Sequence, residues 1–185
     1  MSLRQIARHL AVAGVRHRVV IASASAPLRK HVADALAQCP EVTDRAGAVT
    51  VLKALGLKVS GTRVLPNGTV ALYRGNVDLS QLGLKKLPLR FIEVTGEFSC
   101  SWNQLTALDG CPQKAGSVFA HQNRLTSLIG GPEQVLDTYD VSDNELQVLD
   151  ELPGRIGKKL IVSRNPGSPL QAPSGLLRGS VTFYN

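Results

Sequence analysis

The apolar side chains between residues 76 and 185 recur with a period of 20 or 21 residues. In each repeat they stand five and three residues before a reference position, and mostly also two and five residues after it. The reference position is Asn103, Asn123, Asn144 or Asn165, and Leu82 takes it in one repeat further upstream. A sequence period of this length predicts a solenoid of stacked short repeats.

Each repeat divides into a strand and an irregular return. Apolar and polar residues alternate before the reference position, as they do in a short, half-buried β-strand. The Asn amide both donates and accepts hydrogen bonds, so we expect a structural ladder of stacked Asn side chains to satisfy backbone groups that lack a partner where each strand ends. Proline nine residues after three of the Asn residues argues against helical returns: Pro112, Pro132 and Pro153.

The pattern therefore predicts an α/β protein with two parts. Residues 76–185 are expected to form a solenoid of five repeats plus a terminal strand, with parallel strands and irregular convex returns. Residues 1–75 are expected to form an α/β unit with helices over about 3–13, 26–38 and 44–56, a buried strand over 18–24, and a hairpin over 63–73. Because an open solenoid end exposes its core, we interpret this unit as an N-terminal cap, with an independent docking role as the alternative.

Three stretches of the sequence, FSCSWNQLTALDGCP, VFAHQNRLTSLIGGP and YDVSDNELQVLDELP, resemble leucine-rich repeats. Within that superfamily the chain is most similar to the short repeats encoded by tailed bacteriophages. It is also similar to the repeats of secreted bacterial ubiquitin-ligase effectors, but it lacks room for their catalytic domain. The resemblance implies a non-enzymatic protein–protein recognition module, in a phage either a virion component or a protein that binds a host protein.

The positive charge of the chain is concentrated near its N-terminus. The net charge is +7, and residues 1–58 carry nine basic and three acidic side chains. This asymmetry supports an alternative function, in which the N-terminal region binds nucleic acid or another acidic surface. No helix-turn-helix, RRM or KH signature accompanies it. The candidate contact residues are Arg4, Arg8, Arg16, Arg18, Arg29 and Lys30.

Cysteine and histidine usage predicts neither a disulfide framework nor a metal site, and no cofactor is expected. The three cysteines are unpatterned, which favours reduced thiols in a cytoplasm. For a phage-encoded protein we expect a location in the host cytoplasm or in the virion. The four histidines are scattered, with no zinc-like spacing. There is no apolar run of 18 residues and no signal peptide, so no membrane association is expected.

The polar residues of three adjacent repeats suggest a Ser–His–Asp arrangement. His121 occupies the position held by Ser101 and Ser142 in the two neighbouring repeats, and Asp140 lies close to Ser142 on the same strand. We interpret them as polar residues at exposed positions of a sheet and expect no catalytic site, because nothing in the sequence indicates an orienting arrangement.

The residues that alternate with the core positions are expected to share one exposed surface, here called the sheet face. It comprises the positions six, four and two before each reference residue, and Trp102 borders it one residue before Asn103. Aromatic and apolar residues among small polar ones are typical of an interface core. The predicted partner-binding residues are Trp102, Phe119, His121, Asp140 and Ile161. The last strand is a further expected edge for pairing with another chain or for oligomer formation.

Overall fold

The computed structural model describes residues 34, 41–167, 170 and 182–184. Its elements are the helix α1 (Arg45–Ala54) and the strands β1 (Arg63–Val64), β2 (Val70–Leu72), β3 (Val77–Asp78), β4 (Glu93–Ser99), β5 (Lys114–Phe119), β6 (Gln134–Val135), β7 (Thr138–Asp140), β8 (Arg155–Ile156), β9 (Lys159–Ile161) and β10 (Thr182–Tyr184). The predicted helix over 3–13 and the predicted strand over 18–24 lie outside the described residues, and of the predicted helix over 26–38 only Asp34 is described, in a helical conformation.

Parallel strands stacked in chain order make up most of the structure. The sheet runs β3, β4, β5, β7, β9 and β10, and each strand pairs in parallel with the next. The register aligns the residues five before each reference position, so that Phe98, Val118, Tyr139 and Leu160 face one another across the strands. The prediction of a solenoid is therefore confirmed: the sheet forms a β-solenoid of about four turns with little helix.

The repeated apolar positions form one continuous core. Side chains five and three residues before the reference position, and two and five residues after it, are buried from the Asn103 repeat to the Asn144 repeat. Fully burying a leucine or phenylalanine stabilises the fold by about 1.5–3 kcal/mol relative to an exposed side chain. Each repeat therefore depends on its neighbours, because a single strand and return bury little on their own.

The return segments form a second parallel ladder without becoming helical. The first residues of β4 and β5 pair with each other, and β5, β6 and β8 continue the row. No α-helix is found in the described stretch 77–167. The three return prolines, Pro112, Pro132 and Pro153, are buried, and their rings fit extended backbone because they fix φ without needing an N–H donor.

A β-bulge accommodates the one repeat that is 20 residues long. Between β4 and β5 the pairing runs from Val94 with Ala115 to Glu97 with Ser117, so β4 contains one more residue than its partner. The extra residue lies at Thr95 or Gly96. A side chain at Gly96 would collide with the Asn76 side chain and would lie 2.8 Å from the Gly75 carbonyl oxygen, so the close approach of neighbouring backbone favours glycine there.

Helix α1 and the β1–β2 hairpin share the solenoid core. The carboxylate of Asp44 caps the helix by accepting a hydrogen bond from the Gly47 amide at 2.6 Å. Strands β1 and β2 are antiparallel, as the hairpin pattern predicts. Beyond β2, Tyr73 donates its amide to the Glu93 carbonyl at 2.8 Å, which joins the hairpin to the first return. Apolar residues of α1 belong to the same buried cluster as the repeats: Ala48, Val51, Leu52 and Leu55.

Candidate functional site

The Asn side chains are buried and bond to backbone groups of two successive repeats. Asn144 donates from Nδ2 to the carbonyl oxygens of Ala120 (3.0 Å) and Val141 (3.0 Å), and its Oδ1 accepts from the Leu125 amide at 3.0 Å. Asn123 and Asn165 repeat this pattern, and Asn103 adds a second accepted bond. The Asn side chains thus tie each repeat to the preceding one where the strand ends.

The residue before each reference position adopts the left-handed backbone conformation. The φ angles lie between 51° and 58° at these five sites: Gln81, Trp102, Gln122, Asp143 and Arg164. Non-glycine residues rarely adopt this conformation. An interstrand hydrogen bond supports it, since the Trp102 amide donates to the His121 carbonyl at 3.0 Å and the Gln122 amide donates to the Ser142 carbonyl at 3.1 Å. The turn places these side chains along the rim of the sheet face.

A side-chain network crosses three repeats on the sheet face. His121 Nδ1 lies 3.1 Å from Ser101 Oγ and 3.4 Å from Asp140 Oδ2. The other carboxylate oxygen of Asp140 accepts from the Ser142 hydroxyl at 2.7 Å and from the Ser142 amide at 3.0 Å. Burial raises the pKa of Asp140, but the hydrogen bonds from His121 and Ser142 outweigh burial and hold that pKa below its usual value.

Trp102 extends this network to the protein surface. Its ring contacts the His121 imidazole edge to face, with the ring centroids 4.4 Å apart and an interplanar angle of 82°. Half of the Trp102 surface is exposed. The indole is therefore held by its neighbour while it remains available to another molecule.

A second row of contacts runs beside the first. Arg164 donates to both carboxylate oxygens of Asp143, one repeat earlier. This bidentate hydrogen bond lowers the pKa of Asp143, and a side-chain hydrogen bond from Gln122 acts in the same direction. Gln122, Asp143 and Arg164 thus form a row at the positions that precede three successive Asn residues. Among these positions only Trp102 was predicted to bind a partner, although the repeat phase marks all of them.

The Ser101–His121–Asp140 contacts do not have the geometry of a catalytic triad. In such a triad the carboxylate bonds to one imidazole nitrogen and the serine to the other. Here Ser101 and Asp140 both approach Nδ1, and Ser101 has no exposed surface. This arrangement orients the imidazole ring. Because Ser101 and Asp140 share one ring nitrogen, the ring is not placed to take a proton from Ser101 while the carboxylate holds its other nitrogen.

The structure brings three of the five predicted partner-binding residues into direct contact, namely Trp102, His121 and Asp140. Phe119 and Ile161 flank Asp140 in the strand register, and both are partly exposed. The exposure expected for the small polar residues of this face is wrong at three positions, where the hydroxyl bonds to a neighbouring group instead of water: Ser101, Ser117 and Ser142 are buried. The basic residues Arg4, Arg8, Arg16, Arg18, Arg29 and Lys30 lie outside the described residues.

Metal binding is not indicated for the described part of the chain. Its acidic, histidine and cysteine side chains nowhere group in threes at distances suited to a metal ion. Cys100 and Cys111 are buried free thiols, and burial raises the pKa of Cys100 to about 12. The single described helix of defined bounds, α1, is too short to cross a membrane, and no other helix among the described residues qualifies.

Comparison with known proteins identifies no relative of this chain. No protein-family model matches it, and no significant match is found among curated proteins or solved structures.

Proposed function

We propose that this protein is a non-enzymatic recognition module of the leucine-rich repeat type, which binds another protein through its sheet face. The half-exposed indole of Trp102, held against His121, is the observation that carries this proposal. Tryptophan is enriched among the residues that dominate binding energy at protein interfaces. The repeat pattern and its resemblance to leucine-rich repeats support the same function, since such scaffolds present a sheet to their partners.

The contacts between repeats favour binding because they fix the surface before a partner arrives. His121 is held by Ser101 and Asp140, and Asp143 is held by Arg164. Side chains that are already ordered lose less conformational entropy on association. The sheet face is therefore suited to a partner of defined shape.

The triad-like residues take a supporting role in this proposal. With both Ser101 and Asp140 on the same imidazole nitrogen, the network positions His121 beneath Trp102 and has no activated nucleophile. We accordingly assign the protein no enzymatic activity and no cofactor. The repeats resemble those encoded by tailed bacteriophages. In a phage, the protein would be a virion component or would bind a host protein in the host cytoplasm.

The proposal is tested by isolating a protein partner in a pull-down and measuring its affinity for variants of the full chain. Trp102→Gln introduces the residue that stands at the same backbone position in both adjoining repeats, so the fold should be retained. We expect it to weaken binding by about 2 kcal/mol. Ile129→Thr is the matched control, because Ile129 is an exposed apolar residue away from the sheet face. Equal effects of the two variants would contradict the proposal.

The charge asymmetry of the sequence favours a second candidate, in which residues 1–58 bind nucleic acid. Replacing Arg4 and Arg8 with glutamate separates the two functions. Under the proposed function the double variant keeps its affinity for the protein partner. Under the alternative, the unmodified protein shifts DNA or RNA in an electrophoretic mobility assay, and salt strongly weakens this shift. The double variant no longer produces the shift.

A further inference from the structure

The sheet face has the opposite charge from the chain as a whole. Across the repeats of Leu82, Asn103, Asn123 and Asn144, its positions and the adjoining position one before each reference residue hold four carboxylates and no lysine or arginine: Asp78, Glu97, Asp140 and Asp143. The complete chain carries 21 basic and 14 acidic side chains. Four of the 14 acidic side chains thus lie on a surface of these four repeats that holds none of the 21 basic ones.

Among the described positions on and beside the sheet face, lysine and arginine occur only in the repeat that follows the Asn144 repeat. Lys159 and Arg164 belong to the Asn165 repeat, and Arg164 is bound to Asp143. The acidic part of the sheet face therefore ends at a defined boundary, between the Asn144 and Asn165 repeats.

Trp102 lies within the acidic part and is able to bind a cation. The face of an indole ring attracts guanidinium and ammonium groups, most strongly when they are partly removed from water. Trp102 and Asp140 belong to repeats two strands apart, which corresponds to about 10 Å at ~4.8 Å between strands. An extended chain covers that distance in about three residues. Asp140 also has lone pairs left for a further donor, because a carboxylate accepts about four hydrogen bonds.

We infer that the sheet face binds an extended protein segment bearing arginine or lysine side chains, one against Trp102 and another about three residues away against Asp140. This inference rests on the proposed function and adds the chemistry of the partner. It also opposes nucleic acid as the ligand of this surface, because phosphate groups would meet carboxylates. The complementary charges would accelerate association and select against acidic partners.

The inference is tested with three synthetic peptides and the full-length protein. They share a flexible Gly/Ser sequence with arginine, glutamine or glutamate at every third position, and a single-stranded oligodeoxynucleotide is the fourth probe. Trp102 is the only tryptophan of the chain, so its fluorescence reports binding at the sheet face. We expect a saturable change with the arginine peptide, weakened by salt, and at least a tenfold weaker response to the other probes.

Substitutions locate the binding site. The double variant Asp140→Asn/Asp143→Asn keeps oxygen acceptors for Ser142 and Arg164 and should lower the affinity for the arginine peptide about fivefold. Glu133→Gln removes an exposed carboxylate from a return segment and should leave the affinity unchanged. No fluorescence response to the arginine peptide, an equal response to the glutamine peptide or the oligonucleotide, or equal effects of both variants would overturn the inference.

The captured protein partner distinguishes this inference from the proposed function. If Trp102→Gln weakens partner binding while Asp140→Asn/Asp143→Asn does not, recognition by the sheet face stands and the cationic chemistry is wrong. If neither substitution weakens binding, both are wrong. If both substitutions weaken it, both are supported.

Discussion

At the scale of single residues, the buried Asn side chains take the place of backbone pairing where the strands end. Asn144 bonds to the carbonyl groups of Ala120, Val141 and Ser142 and to one amide, all in the buried part of two repeats. Unpaired buried polar groups are costly, because in the unfolded chain water satisfies them. The same chemistry explains why the short side chain of asparagine, which both donates and accepts, recurs at this position.

Replacing Asn144 with alanine should lower the free energy of unfolding by on the order of 3 kcal/mol, since several buried backbone groups lose their partner. Chemical denaturation of the full chain measures this change. The control is Glu145→Ala, because Glu145 is the exposed neighbour and should alter stability by less than about 0.5 kcal/mol. Similar stabilities for the two variants would show that the Asn bonds are unimportant.

Tyr139 provides a second test at this scale. It is fully buried, and its hydroxyl has no hydrogen-bond partner among the described residues. Phe98 occupies the equivalent core position two repeats earlier and is also fully buried. Tyr139→Phe should therefore raise the free energy of unfolding by about 1 kcal/mol, because an unsatisfied polar atom is removed.

The reverse exchange, Phe98→Tyr, should lower stability by about 1–3 kcal/mol, because it buries a hydroxyl in the same core. Thermal and denaturant unfolding of both variants give the comparison. A Tyr139→Phe variant less stable than the Phe98→Tyr variant would contradict this prediction, because it would show that the Tyr139 hydroxyl is hydrogen-bonded.

The residue types explain which local features were predictable. Asparagine and leucine recur visibly, so the buried positions follow from the sequence. The left-handed backbone before each Asn does not, since Gln, Trp, Gln, Asp and Arg stand there and none is glycine. The burial of Ser101 also escapes prediction, because it depends on His121 in the next repeat.

At the scale of strands and returns, close backbone approach places strict demands on glycine. A side chain at Gly157 would overlap the Leu136 carbonyl of the preceding repeat. At Gly154, in the same return, the nearest atom would be the Glu133 carbonyl oxygen at an ordinary 3.8 Å. The difference reflects how tightly successive returns pack around the β8–β9 connection.

Gly157→Ala should consequently destabilise the protein by about 1–3 kcal/mol, the cost of forcing extra atoms into a packed region. Gly154→Ala should leave stability within about 0.5 kcal/mol of the unmodified protein. Both substitutions remove the same backbone freedom from the unfolded chain, so their difference isolates the packing effect. Equal stabilities would contradict the register of the returns.

The sequence predicts the strands better than it predicts their irregularities. The 20-residue spacing of Asn103 and Asn123 is visible in the sequence, but the position of the β-bulge that accommodates it is not. The structure puts it between Val94 and Glu97, where Gly96 permits the backbone to approach Asn76. Such a position depends on contacts between repeats, which a single repeat does not encode.

At the scale of the whole molecule, the helix and hairpin continue the core of the solenoid. Leu52 of α1 and Val70 of β2 are completely buried in the same cluster as the repeats. Strand β2 also bonds to the first return, because the Val70 amide donates to the Arg90 carbonyl at 2.8 Å. A capping role for this part of the chain stays a prediction.

A fragment of residues 74–185 should therefore aggregate or unfold without cooperativity, since the first repeat would expose its apolar cross-section. A fragment of residues 41–185 keeps α1 and the hairpin and should unfold cooperatively. Sedimentation and thermal unfolding compare the two. A soluble, cooperative 74–185 fragment would show that the solenoid needs no cover at this end.

Protein recognition by the sheet face is the central claim, and site-specific photo-crosslinking in cells tests it most directly. A benzoylphenylalanine introduced at position 102 retains an aromatic ring on the sheet face, and the same residue at Leu136 probes a return with similar exposure, 46% against 50%. The account predicts a covalent protein adduct from position 102 and none from position 136. An adduct from position 136 alone, or nucleic acid as the only adduct at position 102, would contradict it.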